Sequence, residues 1–261
     1  MPGDPPAPFL TVVIPAYNEA ERIRDSLLRA AAWLSVPGRL PAGDAEIIVV
    51  DDGSTDATAA LVEKTAAALP PGGPALRLLR NGVNRGKGYS IKHGVLMAAG
   101  EHVLLSDADF STPIEELPRL LLPVTQGECD IAIGSRGLKE SRVEVRQPVW
   151  RQTMGRIFNG IVRAATGLPY RDTQCGFKVM RREPVLPLFR AARIERFAYD
   201  VEILYLARKA RLVVREIPIL WRDAAGSKVH AARDSFRMLC EVARIVWRDR
   251  RFRYGRIGKD A

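Results

Sequence analysis

Asp107 and Asp109 are two carboxylates one residue apart, at the end of the run His102-Val103-Leu104-Leu105-Ser106. Carboxylates that close repel each other and are costly to bury without a partner. A hard divalent cation, Mg²⁺ or Mn²⁺, answers both problems and also takes phosphate oxygens. A bare pair of this kind also fits a solvated turn in which Asp109 caps the next helix. Three other polar clusters decide between these. Pro15-Ala16-Tyr17-Asn18-Glu19 follows one apolar run, Asp51-Asp52 a second, and Asn84-Arg85-Gly86-Lys87-Gly88 a third. The last puts two cations on a glycine-rich turn. That suits a phosphate, with backbone N–H groups and a helix N-terminus adding to the charge. Anions for a metal beside cations for a phosphate are what a metal–nucleotide complex requires.

The elements that must position these residues follow from periodicity. Phe9 to Ile14, Glu46 to Val50, Leu76 to Leu79 and His102 to Leu105 are short, apolar and rich in β-formers. Between them, helices are expected over about Ala20 to Leu34, from Thr55 or Ser54 as cap to about Leu69, and over about Tyr89 to Ala99. Strand–helix alternation with short connections implies an α/β chain, a doubly wound, mostly parallel sheet flanked by helices. In such a sheet all four polar loops leave the strands' C-terminal ends along one rim, where ligands bind. Neither G-x-G-x-x-G nor G-x-x-x-x-G-K-[ST] occurs, so a dinucleotide fingerprint and a P-loop are both unsupported.

Composition bounds the partners. The chain has 261 residues and a net charge of +10, with Lys and Arg dense from Arg136 onward, so a polyanion or an anionic membrane surface is expected. Aromatics are only 7% and none cluster on a basic strand, which argues against nucleic acid. Cys129, Cys175 and Cys240 are far apart, which fits a reducing compartment rather than a disulfide framework or a zinc site. No signal-peptide pattern and no apolar stretch of bilayer length is seen, so a cytoplasmic protein, peripheral on the inner face of a membrane, is expected.

Ile14-Pro15-Ala16-Tyr17-Asn18-Glu19, Val49-Val50-Asp51-Asp52-Gly53-Ser54-Thr55-Asp56, Asn84-Arg85-Gly86-Lys87-Gly88 and Asp107-Ala108-Asp109 together resemble the inverting family-two glycosyltransferases of GT-A fold. The second half is similar to the dolichyl-phosphate β-glucosyltransferases, with dolichyl-phosphate mannose synthases as close relatives. It contains Gly134-Ser135-Arg136, Arg171-Asp172-Thr173-Gln174-Cys175-Gly176-Phe177-Lys178, Glu195-Arg196-Phe197-Ala198-Tyr199-Asp200-Val201-Glu202, Trp221-Arg222 and Gly226-Ser227-Lys228. The likeness covers roughly Leu10 to Arg248. It implies a GT-A catalytic domain over residues 10–230, divided into a nucleotide-sugar half (10–135) and an acceptor half (136–230). Residues 1–9 precede it, and a basic helix and tail (231–261) follow.

The resemblance also implies roles. Pro15, Tyr17, Glu19, Asp51 and Asp52 match positions that hold nucleobase and ribose; Arg85, Gly86 and Lys87 match the loop near base and diphosphate. Asp107 and Asp109 match the metal-binding D-x-D, with Asp109 on the ion and Asp107 also supporting sugar or ribose. Arg136 matches an arginine near the sugar and acceptor phosphate. Arg222 and Lys228 match a basic loop that neutralises the diphosphate. The donor implied is a nucleotide sugar, UDP-glucose, and the acceptor a polyprenyl or dolichyl phosphate; another hexose or a saccharide hydroxyl acceptor is the alternative.

The acceptor decides the chemistry needed. A phosphate nucleophile is already anionic and needs cations to position it, for which Arg136, Arg146 and Arg151 are suited. A hydroxyl needs a carboxylate base, for which Asp200 or Glu202 is placed. Gln174 and Asp172 suit a sugar pocket, and Cys175 reads as packed core. From Ala231 to about Arg248, Phe236, Leu239, Cys240, Ala243, Val246 and Trp247 recur at helical spacing among arginines, which reads as an interfacial helix on anionic lipid.

Overall fold

The computed structural model describes residues 7–40, 44–144, 149–222, 231–250 and 254. In chain order the elements are β1 (Leu10–Ala16), α1 (Ile23–Leu34), β2 (Ala45–Asp51), α2 (Thr58–Ala68), β3 (Ala75–Arg80), α3 (Lys87–Met97) and β4 (His102–Leu105). There follow α4 (Leu117–Thr125), β5 (Ile131–Ser135), β6 (Arg142–Val143), α5 (Val149–Thr166), β7 (Lys178–Arg181), α6 (Arg182–Ala191), α7 (Tyr199–Lys209), β8 (Val214–Pro218), β9 (Leu220–Trp221) and α8 (Ala231–Arg250).

Seven strands form one sheet in the order β3-β2-β1-β4-β7-β5-β8. Every pairing is parallel except the two made by β7, which runs against β4 and β5. The sheet is therefore mostly parallel, as expected, with one reversed strand inside it. Both faces of the sheet are covered. Val13, Ile48 and Val50 join one apolar cluster, while Leu10, Val12, Ile14, Ile47 and Val49 join the other. Alternate residues of each strand thus enter opposite cores, which is why these strands read as continuous apolar runs.

The reversal of β7 matters for the site. Its first residue, Lys178, lies opposite Leu105 at the C-terminal end of β4 and opposite Ile133 near the end of β5. The loop before β7 therefore enters the same rim that the parallel strands leave.

One local expectation is corrected. Helix α2 is not capped by Ser54 or Thr55: Ser54 Oγ accepts the Asn18 N–H at 2.9 Å, and the Thr55 N–H donates to Asn18 Oδ1 at 2.8 Å. Ala57 stands at the cap with no side-chain bond, and Asp56, one residue earlier, accepts the Thr58 N–H through Oδ1 at 2.9 Å. Among the described side chains of α8, Met238, Glu241, Val242 and Ile245 are buried against the domain. Of the stripe named from the sequence, Cys240, Ala243 and Trp247 are exposed, Leu239 packs against the core, and the Phe236 side chain lies outside the described residues. Among the described residues no helix is long and apolar enough to cross a membrane.

Candidate active site

The loops after β1, β2 and β3 are stitched together by carboxylates and amides. Asn18 joins the first loop to the second through the two bonds just described. Asp52 joins the second to the third: Oδ1 accepts from Asn81 Nδ2 at 2.8 Å and from the Arg85 N–H at 3.0 Å, and Oδ2 accepts from the Gly86 N–H at 2.7 Å. Asp51 is buried and faces the Ser54 N–H at 3.3 Å. Gly86 has φ +115°, and a Cβ there would sit 2.5 Å from the Glu195 carbonyl oxygen. Only glycine combines that backbone with that approach. Pro15 lies in β1, Tyr17 is exposed at the rim, and the Glu19 carboxylate meets Arg22 at 2.8 Å.

Asp107 and Asp109 sit just past β4. Lys87 Nζ lies 2.5 Å from Asp107 Oδ1, so the third and fourth loops do converge. Burial pushes the Asp107 carboxyl up, but Lys87, with Lys178 and Arg136 behind it, outweighs this and holds it below the ordinary carboxylate range. Burial draws the Lys87 ammonium down, yet Asp107, Asp200 and Asp109 raise it on balance, so it stays charged. A Cβ on Gly176 would come 2.3 Å from Asp107 Oδ2, so the loop before β7 backs directly onto this carboxylate. Asp109 Oδ1 accepts the Ser111 N–H at 2.9 Å, and Arg22 Nη1 lies 3.9 Å from Oδ2. The Arg222 N–H donates to the Ser111 carbonyl at 2.8 Å, which ties the end of β9 to the loop carrying Asp109. Two hard carboxylates, both partly open to solvent, suit a divalent cation whose remaining positions come from ligand oxygens. Among the described residues no third His, Cys, Asp or Glu completes a metal cluster.

The acceptor half contributes side-chain pairs. Arg136 grips Asp172 with two parallel bonds, Nε to Oδ2 at 2.6 Å and Nη2 to Oδ1 at 2.9 Å, and lies over the Trp221 ring. Burial would raise Asp172, but Arg136 holds it below the ordinary range. Lys178 is paired with Asp200 in the first turn of α7, and both are buried. Burial raises the Asp200 carboxyl, with Lys178 and Lys87 pulling the other way. Gln174 reaches Met238 of α8, and its N–H bonds to Asp172 Oδ1. Cys175 is buried and its thiol is pushed up to about 11, chiefly by burial, which fits packed core rather than a nucleophile.

Some expected residues point elsewhere. Glu202 is fully buried; Oε2 accepts the N–H groups of Arg193 and Ile194, and Oε1 accepts the Tyr254 hydroxyl at 2.6 Å. Arg85 pairs with Glu195 at 2.6 Å and covers the Tyr89 ring. The Arg222 guanidinium pairs with Glu144. Arg146 and Lys228 lie outside the described residues, as does the side chain of Arg151. Sequence reasoning missed Lys178. The available signal was a lysine followed by Val179-Met180 and preceded by Phe177, a cation inside an otherwise apolar strand.

A mixed sheet with a carboxylate pair, a basic turn and an arginine fork on one rim defines a GT-A-like transferase frame. Residues 11–189 match the family described as glycosyl transferase family 2, and the chain belongs to that family. It is a glycosyltransferase. It is 35% identical over 251 residues to dolichyl-phosphate beta-glucosyltransferase of Dictyostelium discoideum, covering 94% of this chain and 75% of that one. It is 34% identical over 232 residues to the Homo sapiens protein of the same name, covering 87% of this chain and 71% of that one. Among solved structures, glucosyl-3-phosphoglycerate synthase from Mycobacterium tuberculosis, in complex with Mn²⁺, UDP and glucosyl-3-phosphoglycerate, superposes with TM-score 0.63 at 18% identity, covering 94% of this chain and 80% of that one. A mannosyltransferase from Pyrobaculum calidifontis, in complex with GDP-mannose and Mn²⁺, gives TM-score 0.63 at 20% identity, covering 91% and 65%.

Proposed function

We propose that the protein transfers glucose from UDP-glucose to dolichyl phosphate or a related polyprenyl phosphate, working at the cytoplasmic face of a membrane. The observation that carries this reading is the convergence of Lys87 with Asp107 at 2.5 Å, which sets a phosphate cation against the carboxylate pair at the strand ends. The choice of glucose and lipid phosphate is supported by relatives of that name at 33–35% identity. A positively charged chain suits an anionic membrane surface.

In this reading Asp107 and Asp109 hold a divalent cation, Mg²⁺ or Mn²⁺, which supplies charge neutralisation on the diphosphate. Tyr17 and Asp51 line the nucleotide end, and Asp52 acts through the loop it holds, presenting Arg85, Gly86 and Lys87. Lys87 exchanges its contact with Asp107 for the donor's phosphate oxygens as charge develops on the leaving group. Arg222, exchanging its contact with Glu144 for phosphate oxygens, and Lys228 neutralise the diphosphate. The acceptor phosphate needs no strong base; Arg136, fixed by Asp172, and the arginines Arg146 and Arg151 orient it in line with the departing UDP. Glu202, with both oxygens engaged by the chain itself, supports α7 and the segment before it. Asp200 and Gln174 are left to orient substrate hydroxyls. The raised, buried Asp200 carboxyl also favours a second reading, a hydroxyl acceptor whose proton Asp200 takes.

The test is a panel of UDP- and GDP-sugars offered to purified protein with Mn²⁺ or Mg²⁺, with and without a short polyprenyl phosphate. The expected result is a glucosylated lipid formed from UDP-glucose alone, lost on chelation. Transfer from another donor would replace the sugar; release of UDP only with a saccharide acceptor would favour the Asp200 base.

A further inference from the structure

Lys178 is a cation where an apolar residue would be cheaper. It is 2% exposed, begins β7, and lies opposite Leu105 and Ile133 at the ends of two neighbouring strands. Its Nζ donates to the Cys175 carbonyl oxygen at 2.5 Å and to Asp200 Oδ1. Asp200 is itself only 4% exposed. Replacing a buried ion pair by apolar residues is often neutral or stabilising, so stability alone does not explain this pair.

What the pair does is join the loop that backs onto Asp107 to a helix whose Asp200 carboxyl feels the Asp107 charge. The Cys175 carbonyl belongs to the loop whose Gly176 backs onto Asp107 Oδ2. Asp200 belongs to the first turn of α7, where a carboxylate also complements the helix N-terminus. One ammonium thus holds the loop behind the D-x-D and the helix beside it in a single arrangement. The Asp200 carboxyl, raised by burial, is also drawn toward its charged form by Lys178.

We infer that Lys178 is a positioning residue for sugar transfer, which acts through Asp200 by fixing its carboxylate relative to Asp107 and the 172–177 loop. The inference rests on the transferase reading above. It makes a different demand from a stabilising role: the nucleotide end of the rim, built on Asp51, Asp52 and the Arg85-Gly86-Lys87 loop, touches neither Lys178 nor Asp200 by hydrogen bond, so nucleotide binding should survive its loss.

The experiment is a double-mutant cycle of Lys178→Met, Asp200→Asn and the two combined, each measured for kcat, donor KM, UDP affinity by calorimetry and thermal unfolding. Lys178→Met is expected to lower kcat roughly 100-fold, the scale of a misplaced reacting group. Donor KM and UDP affinity should stay within about threefold of the parent. The double variant should match Asp200→Asn within about threefold, because Lys178 acts through that carboxylate. If Lys178→Met fails to fold, the combined variant, which removes both charges together, keeps the comparison with Asp200→Asn available. Losses in kcat that multiply, a kcat for Lys178→Met near that of the parent, or UDP affinity falling in step with kcat would each overturn the inference. A parent protein that releases UDP from no donor would overturn the transferase reading and this inference with it; an active parent with multiplying losses overturns the inference alone.

Discussion

The two halves of the rim are built on different principles. At the ends of β1, β2 and β3, polar side chains bind backbone: Asn18 takes the Thr55 N–H, Asp52 takes the Arg85 and Gly86 N–H groups, and Asp56 takes that of Thr58. At the rim ends of β5 and β7 the distinctive contacts are charged side-chain pairs, Arg136 with Asp172 and Lys178 with Asp200, which also take backbone groups of the 172–177 loop. The first arrangement shapes loops that can follow a nucleotide's outline. The second stores balanced charge under the place where a sugar and an anionic acceptor would meet. Removing one member of the first kind leaves a backbone N–H group unpaired; removing one of the second leaves a charge without its partner, and that is the more damaging loss.

The largest effect is expected at the seam between the halves. Asp109→Ala should lower transfer by about 10³-fold, the upper range for removing one preorganised electrostatic group, while thermal unfolding stays close to that of the parent. Next is Gly176→Ala, whose new Cβ would meet Asp107 Oδ2 at 2.3 Å. The carboxylate must move, and a fall in kcat of roughly 10²-fold with little change in unfolding temperature is expected. Unaltered kcat would detach the β7 loop from the D-x-D.

Asp172→Asn probes the second half directly. The neutral amide weakens the fork to a partly exposed Arg136, and a drop of about 2 kcal/mol in unfolding free energy is expected, read by denaturant titration. The sign of its pH dependence follows from Arg136 holding the Asp172 carboxyl below its ordinary value. A depressed carboxyl contributes stability above its unfolded value of about 3.9 and loses it as pH falls through the folded one. The gap between parent and variant should therefore be full at neutral pH and close in strong acid. A gap that widens on acidification would contradict the pairing. The smallest effect is expected for Glu202→Gln, which keeps the shape but weakens charge-assisted bonds to Arg193 and Ile194 N–H, at about 1 kcal/mol.

The same contrast explains what could be read from the chain. Strand β4 was legible to its ends, because a short β-rich run stops at a polar turn. The four polar loops were legible because parallel strands deliver their C-terminal ends to one side. Helix α1 begins at Ile23 rather than near Ala20, since the Glu19 carbonyl first accepts the N–H groups of Arg22 and Ile23 in a turn. The cap of α2 was misassigned because Ser54 and Thr55 serve the neighbouring loop, a contact between residues far apart in sequence. Lys178 stands in a quoted motif, but its role was not legible: it comes from the reversal of β7, which sequence periodicity does not report. On α8, Met238, Val242 and Ile245 meet the core beside Leu239, a face that the stripe counted from the sequence includes only at Leu239.

The most direct test of the central claim compares parent and Asp109→Ala side by side in UDP release from UDP-glucose, with and without polyprenyl phosphate and Mn²⁺. Release that depends on the lipid is expected in the parent, and release about 10³-fold slower in a variant that still unfolds cooperatively. Equal release by both proteins would contradict the claim, because the carboxylate pair would then stand apart from the chemistry.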